Sequence, residues 1–300
     1  MGATKPFQTY DQQLRRLVRR GLRVDDHAQA LEWLTRVNYY RLSGYWYPFR
    51  AVENGRRRDV FVSGAAFADV IALYEFDERL RAAVLTVTAP IELSVRAFLG
   101  HALGRVDSCA HLRPELLGAL ARSGADYPNW RARFDREVAA SREDFVVHHR
   151  SSYSGVLPVW AAVEVLDWGS LVRLLMMSPP AVQSEVAARF GLRPPQLVSW
   201  MRSLNIVRNA CAHHGRLFNR VYAKRPKLPV PGLVPSLDAI APVMNRTYGQ
   251  LSLLQHLRRA VLHGPAPELT SVLGSWPTSD HVPFAVTGAP ADWRSSELWR

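Results

Sequence analysis

The 300-residue sequence has little cysteine and almost no lysine. Cys109 and Cys211 are its only cysteines, each beside an alanine and neither in a CxxC pair. That pattern excludes a disulfide framework and fits free thiols in a reducing compartment. No apolar run approaches the roughly 20 residues needed to span a bilayer, and residues 1–10 lack the apolar stretch of a secretory leader. A cytoplasmic protein with no membrane partner is therefore expected. The sequence also lacks HExxH or a comparable carboxylate spacing, so no metal and no cofactor are expected. Nor is there an internal repeat, a low-complexity tract or an apolar–polar alternation of the kind strands show, and the expected fold class is all-α.

What is abundant is arginine. The formal net charge is +12 and the pI about 10.3, yet the only lysines are Lys5, Lys224 and Lys227. A surface this basic attracts phosphate polyanions and releases their counterions, which makes nucleic acid the default partner. A 48% hydrophobic fraction with 10% aromatics supplies a substantial core.

Apolar spacing predicts helices over residues 11–36 with a break at Gly21, and a long helical stretch from Ala65 to Leu103 that Pro90 should kink or divide. The arginines 15, 16, 19 and 20 ride on the first of these and read as a solvated face. Asn38 to Phe49 is dense in aromatics, more in keeping with core or a seam than with base stacking. Residues 105–129 read as irregular. Helical patterning resumes over 130–147, 160–177 and 182–190, and continues from Gln196 to about His214 and from Val243 to Leu262. Three regions are expected: an N-terminal helical and aromatic segment (1–60), a helical core (61–263), and a proline- and tryptophan-containing tail (264–300) packed on that core.

The helix beginning near Gln196 carries the candidate chemistry. At 100° per residue Arg208 falls within the apolar stripe of Leu197, Trp200, Met201, Leu204 and Cys211. A cation there needs an anionic or hydrogen-bonding partner, either a phosphate or a buried carboxylate such as Glu92 or Glu164. Asn205, Asn209, His213 and Arg216 share a polar line if the helix runs that far. Arg208 and His213 are about 140° apart on a straight helix, so either the helix ends near His213 or two copies face one another in a homodimer. RNA transesterification needs proton transfer at the 2′-hydroxyl and the leaving oxygen and a cation for the charge on phosphorus, and histidine with arginine supplies these.

Arg208-Asn209-x-x-x-His213 resembles the Arg-x4–6-His signature of the HEPN superfamily. Its extension from Asn205 to Arg220 is similar to the motif of the Abi family of abortive-infection proteins (AbiD/AbiF-like). Further matching patterns in the same order are Lys5-Pro6-Phe7, Asn38 to Trp46, Tyr74-x-Phe76-Asp77 with Leu80-Arg81, Ile91-Glu92 with Arg96, Pro158-Val159-Trp160 with Glu164, and Gly169-Ser170-Leu171. The tail from Gly288 to Trp293 with Leu298-Trp299 is similar as well. The resemblance implies a HEPN-like helical bundle with extra N-terminal helices. It also implies a metal-independent endoribonuclease of an abortive-infection or toxin-type phage-defence system. In it Arg208 stabilises the scissile phosphate, Asn209 positions it, and His213 transfers the proton, with His214 also at an allowed spacing. Asn205, Arg216 and Arg220 are expected to contact RNA. The expected partners are RNA as substrate, a second copy of the chain, and, for regulation, an RNA or an antitoxin. The alternative is a non-catalytic RNA- or protein-binding helical module.

Overall fold

The structure is a computed structural model that describes residues 4–300. With 64% of residues helical, the fold class is all-α, as the missing strand periodicity implies. Thr9 and Gln12 form a reciprocal capping box that starts α1 (Tyr10–Arg19), and Gly21, at φ 92°, turns the chain toward α2 (His27–Arg36). Asn38 caps α3 (Tyr39–Trp46), whose Leu42, Tyr45 and Trp46 are buried. The aromatic segment is thus largely core, although Tyr40 and Tyr47 remain exposed.

One expectation is corrected here. Residues 50–61 form an antiparallel hairpin, β1 (Arg50–Glu53) and β2 (Arg56–Phe61), turned at Asn54-Gly55 with both residues at positive φ. Asn-Gly is a strong hairpin signal. The run Arg56-Arg57-Arg58-Asp59 hides the alternation, because five of the six β2 residues are exposed and only Phe61 turns inward.

Helix α4 (Phe67–Gly104) is the axis of the molecule. It runs unbroken through Pro90, so of the expected kink or division the division does not occur. Proline removes one helical N–H, and the carbonyl it leaves without a donor belongs to Thr86, an exposed residue where water can bind it. The expectation about apolar runs also needs correction. α4 is long and apolar enough to cross a membrane by length and composition, with a mean hydropathy of 1.5 over its most apolar 18 residues. In this fold its apolar surface packs against other helices of the same chain, including α3.

The segment expected to be irregular contains α5 (Ala119–Arg122) and the start of α6 (Asp126–Ala140), followed by α7 (Asp144–Ser152). The next predicted helix is two, α8 (Val159–Val165) and α9 (Trp168–Met177), divided where Asp167 caps α9 through the Ser170 N–H. Pro179-Pro180 opens α10 (Pro180–Ala188), and Pro194-Pro195 opens α11 (Pro194–Ala212). The short α12 (Pro235–Asp238) precedes α13 (Thr247–Leu262), and the tail contains one more helix, α14 (Pro267–Gly274). Trp293, Leu298 and Trp299 of the tail are buried, with Trp299 stacked on Tyr248 at 5.3 Å.

Two apolar clusters share α4. The N-terminal one joins Leu14, Leu34, Trp46 and Phe49 to Val70 and Tyr74, and it takes in Phe218 and Val282 from far along the chain. The larger one begins at Phe76 and gathers the remaining helices. Its interior holds His111, fully buried, edge-on to Phe134, with neither ring nitrogen hydrogen-bonded. Burial, reinforced by Arg131 and opposed by Asp135, lowers its pKa from the ordinary 6.5 to about 4. Between those values the unfolded chain binds the proton that the folded chain refuses. Stability is therefore complete above pH 6.5 and falls as pH drops toward 4, by about 3 kcal/mol at most. Urea unfolding of wild type and His111→Leu at pH 7.5 and 4.5 is expected to show that extra acid loss only in wild type; equal losses in both proteins would contradict it.

Candidate active site

The last turn of α11 and the segment after it carry the candidate residues. Apolar side chains Leu197, Trp200, Met201, Leu204, Val207 and Cys211 anchor one side of the helix in the larger core. The helix stops at Ala212, and His213 is its C-cap (φ −97°, ψ 20°). His214 follows in the left-handed region at φ 55°, and Gly215 donates its N–H back to the Ala210 carbonyl at 2.6 Å. This Schellman-like reversal turns the chain sharply away from the helix axis. Of the two geometries the sequence allowed, the helix ends near His213. The polar line expected to reach Arg216 is therefore overturned: Asn205 and Asn209 lie on the helix, whereas Arg216 lies beyond the reversal.

Arg208 is half-buried, and its guanidinium meets the Asn209 side-chain oxygen at 3.3 Å. Among the described residues it has no ion pair. Neither carboxylate that could have neutralised it does so: Glu92 is held by Arg96, and Glu164 is exposed and in none of the ion pairs among the described residues. Asn209, His213 and His214 are exposed, while Asn205 is half-buried, its amide nitrogen 3.7 Å from the point where a Cβ on Gly169 would sit. The end of α11 and its cap thus carry a half-buried cation, an exposed amide and two exposed imidazoles within the seven residues 208–214. Cys211, in the middle of the motif, faces the other way. Burial pushes its thiol up to about 12, so it stays neutral and packs as a small apolar group. Among the described residues no cluster of three or more His, Cys, Asp or Glu side chains could hold a metal ion.

The two remaining candidates are engaged with the protein. Arg216 donates to the Gly44 carbonyl and lies over the Phe218 ring, and a Cβ on Gly44 would come within 3.3 Å of its Nη1. Gly44 is thus what allows α3 to approach this guanidinium. Arg220 lies over the Tyr222 ring, and Nη1 reaches the Arg216 carbonyl at 3.4 Å.

What holds the segment in place is a set of residues whose role sequence reasoning missed. Asp77, fully buried on α4, accepts from the N–H groups of Phe218 (2.7 Å) and Leu217 (3.2 Å), from the Tyr45 hydroxyl (2.7 Å) and from Arg81 Nη1 (2.7 Å). Burial pushes its carboxyl above the usual range, opposed by those bonds and by the Arg81 charge. Arg41, on α3, donates to the His214 carbonyl, and Thr247, at the start of α13, donates to the Leu217 carbonyl at 2.7 Å. The available signal was the Asp77–Arg81 spacing of four, an ion-pair register on one helix face. Nothing local says that its backbone partners lie 140 and 141 residues away.

Replacing Asp77 with Asn removes the charge that Arg81 pairs with and puts an N–H₂ where two backbone donors converge. The cost expected from breaking a buried pair is about 3 kcal/mol. Tyr45→Phe, which deletes one donor, should cost about 1 kcal/mol. Shifts in the urea midpoint at constant slope measure both, and an Asp77→Asn loss no larger than that of Tyr45→Phe would remove Asp77 from its central place.

Comparison with known proteins returned no curated protein and no solved structure that matches this chain. The family model for Abi-like protein matches residues 32–219, a span that begins in α2, passes through Asp77 and Arg81, and ends just past the reversal after α11. On that match, which covers more than half of its length, the chain belongs to the Abi-like protein family.

Proposed function

We propose that this protein is a metal-independent endoribonuclease acting in abortive infection, cutting RNA in the cytoplasm to arrest an infected cell. The observation that carries the reading is the grouping at the end of α11. Arg208 reaches the surface without an acidic partner among the described residues and stands beside Asn209, with His213 capping the same helix. A half-buried guanidinium that no carboxylate neutralises is a ready partner for a phosphate. Membership in the Abi-like family supports the phage-defence setting.

In the proposed reaction the 2′-oxygen attacks phosphorus and the bond to the 5′-oxygen breaks. The products are a 2′,3′-cyclic phosphate and a 5′-hydroxyl. His213 takes the 2′-hydroxyl proton, a protonated donor supplies one to the leaving 5′-oxygen, and Arg208 with Asn209 holds the charge that builds on phosphorus. His214 differs from His213 in that its backbone is fixed in the left-handed region and its carbonyl is held by Arg41. Its side chain is assigned the lesser part. The active form is a homodimer, and a regulatory RNA or an antitoxin restrains it.

Arg208→Ala and His213→Ala are each expected to lower cleavage of a single-stranded RNA by about 10² to 10⁴, and His214→Ala by much less. DNA should survive for want of the 2′-hydroxyl, and EDTA should leave the rate unchanged. Because both side chains sit at the surface end of α11, thermal melts should be close to wild type. Arg208→Ala and His213→Ala proteins that cut as fast as wild type would transfer the motif to a binding role, and light scattering that finds an active monomer would remove the dimer.

A further inference from the structure

Along the N-terminal half of α11, Arg202, Lys224, Arg225 and Lys227 border a cavity of about 560 Å³, with Pro195 and Val198 among its apolar walls. Two of the chain's three lysines are gathered there. No carboxylate lines the cavity, and among the described residues none of the four cations is in an ion pair. Four cations around one depression with no carboxylate in its lining form an anion-attracting surface.

The cationic wall is built into the fold. The segment 224–228 is strapped along α11 by three hydrogen bonds: the Lys227 N–H to the Ser199 hydroxyl (2.9 Å), the buried Trp200 indole to the Lys227 carbonyl (2.6 Å), and the Gln196 amide to the Leu228 carbonyl (3.1 Å). The register with the candidate active site follows from helix geometry. Arg202, Ile206 and Asn209 lie within about 60° of one another on the wheel, His213 caps the same line, and all four are exposed. At 1.5 Å per residue the cavity's Arg202 lies about 10 Å from Asn209 and about 16 Å from His213 along the axis. A strand with a stacked rise of about 3.4 Å per nucleotide covers the longer distance in about five nucleotides.

We propose that this cavity is a second binding site for single-stranded RNA, one that grips the substrate beginning about five nucleotides from the bond cut at the end of α11. Resting on the nuclease reading for its register, it adds where the strand lies. The cations take phosphates, and the apolar walls receive an unpaired base, whose faces a duplex would keep hidden.

Binding is measured in the uncut state, with full-length His213→Ala protein and fluorescent single-stranded RNAs of two to ten nucleotides. Affinity is expected to climb steeply up to about six nucleotides and then level. Adding Arg202→Ala, Lys224→Ala and Arg225→Ala is expected to weaken the ten-nucleotide RNA by about 10- to 100-fold. It should also lower the slope of log affinity against log salt by about 2, the loss of three phosphate contacts. Should the triple variant fold poorly, a 4-thiouridine RNA photocrosslinked to the parent protein replaces it, with crosslinks expected on residues 224–227 and on α11. Unchanged affinity and salt slope, crosslinks confined to α1–α3, or tighter binding of duplex than of single strand would each overturn the site. If wild type cuts RNA while the variants bind normally, the cavity fails and the nuclease reading stands. If wild type binds RNA through the cavity without cutting it, the nuclease reading fails and the cavity stands.

Discussion

The candidate site depends on one buried charge. Asp77 sits at 0% exposure on α4, and what makes that burial tolerable is that four donors converge on its two oxygens. The four donors serve three structural needs. Tyr45 ties in the N-terminal helices, Arg81 neutralises the charge on the same helix, and the Leu217 and Phe218 amides end the reversal that begins at His213. A buried carboxylate is costly unless fully bonded, so satisfying Asp77 forces α3, α4 and the segment after α11 into one arrangement.

The same arrangement explains why some arginines are free and others are not. Arg81 and Arg96 lie in the interior paired with Asp77 and Glu92, while Arg216 is drawn onto the Gly44 carbonyl. Arg208 is left with only its neighbour Asn209 as a side-chain partner. The cations around residues 202 and 224–227 are likewise without acids. Part of the net charge of +12 thus stands without acids along α11, at Arg208 and around residues 202 and 224–227, where a polyanion can lie.

Several features could be read directly from the chain. Helix periodicity found α1, α2, α4, α11 and α13, because apolar residues recur at helical spacing over several turns in each. The motif from Arg208 to His214 could also be singled out, since its residue types suit phosphate chemistry whatever the surrounding fold. The hairpin could not, because its exposed β2 carries arginines on both faces, and only the Asn54-Gly55 turn betrays it. Pro90 does not divide α4, since proline's penalty in a helix is local and the packing along the 38 residues of α4 overrides it.

What the sequence by itself determined is the all-α class, the basic character and the candidate residues at the end of α11, since these follow from composition and local spacing. Only the tertiary structure decided that the helix ends at Ala212, that Arg216 leaves the polar line for α3, and that Asp77 organises the turn between them. Those outcomes depend on which groups find hydrogen-bond partners across separations of 140 and 172 residues. A helix wheel carries no such information, because the free energy of a buried polar group is set by neighbours that only the folded chain supplies.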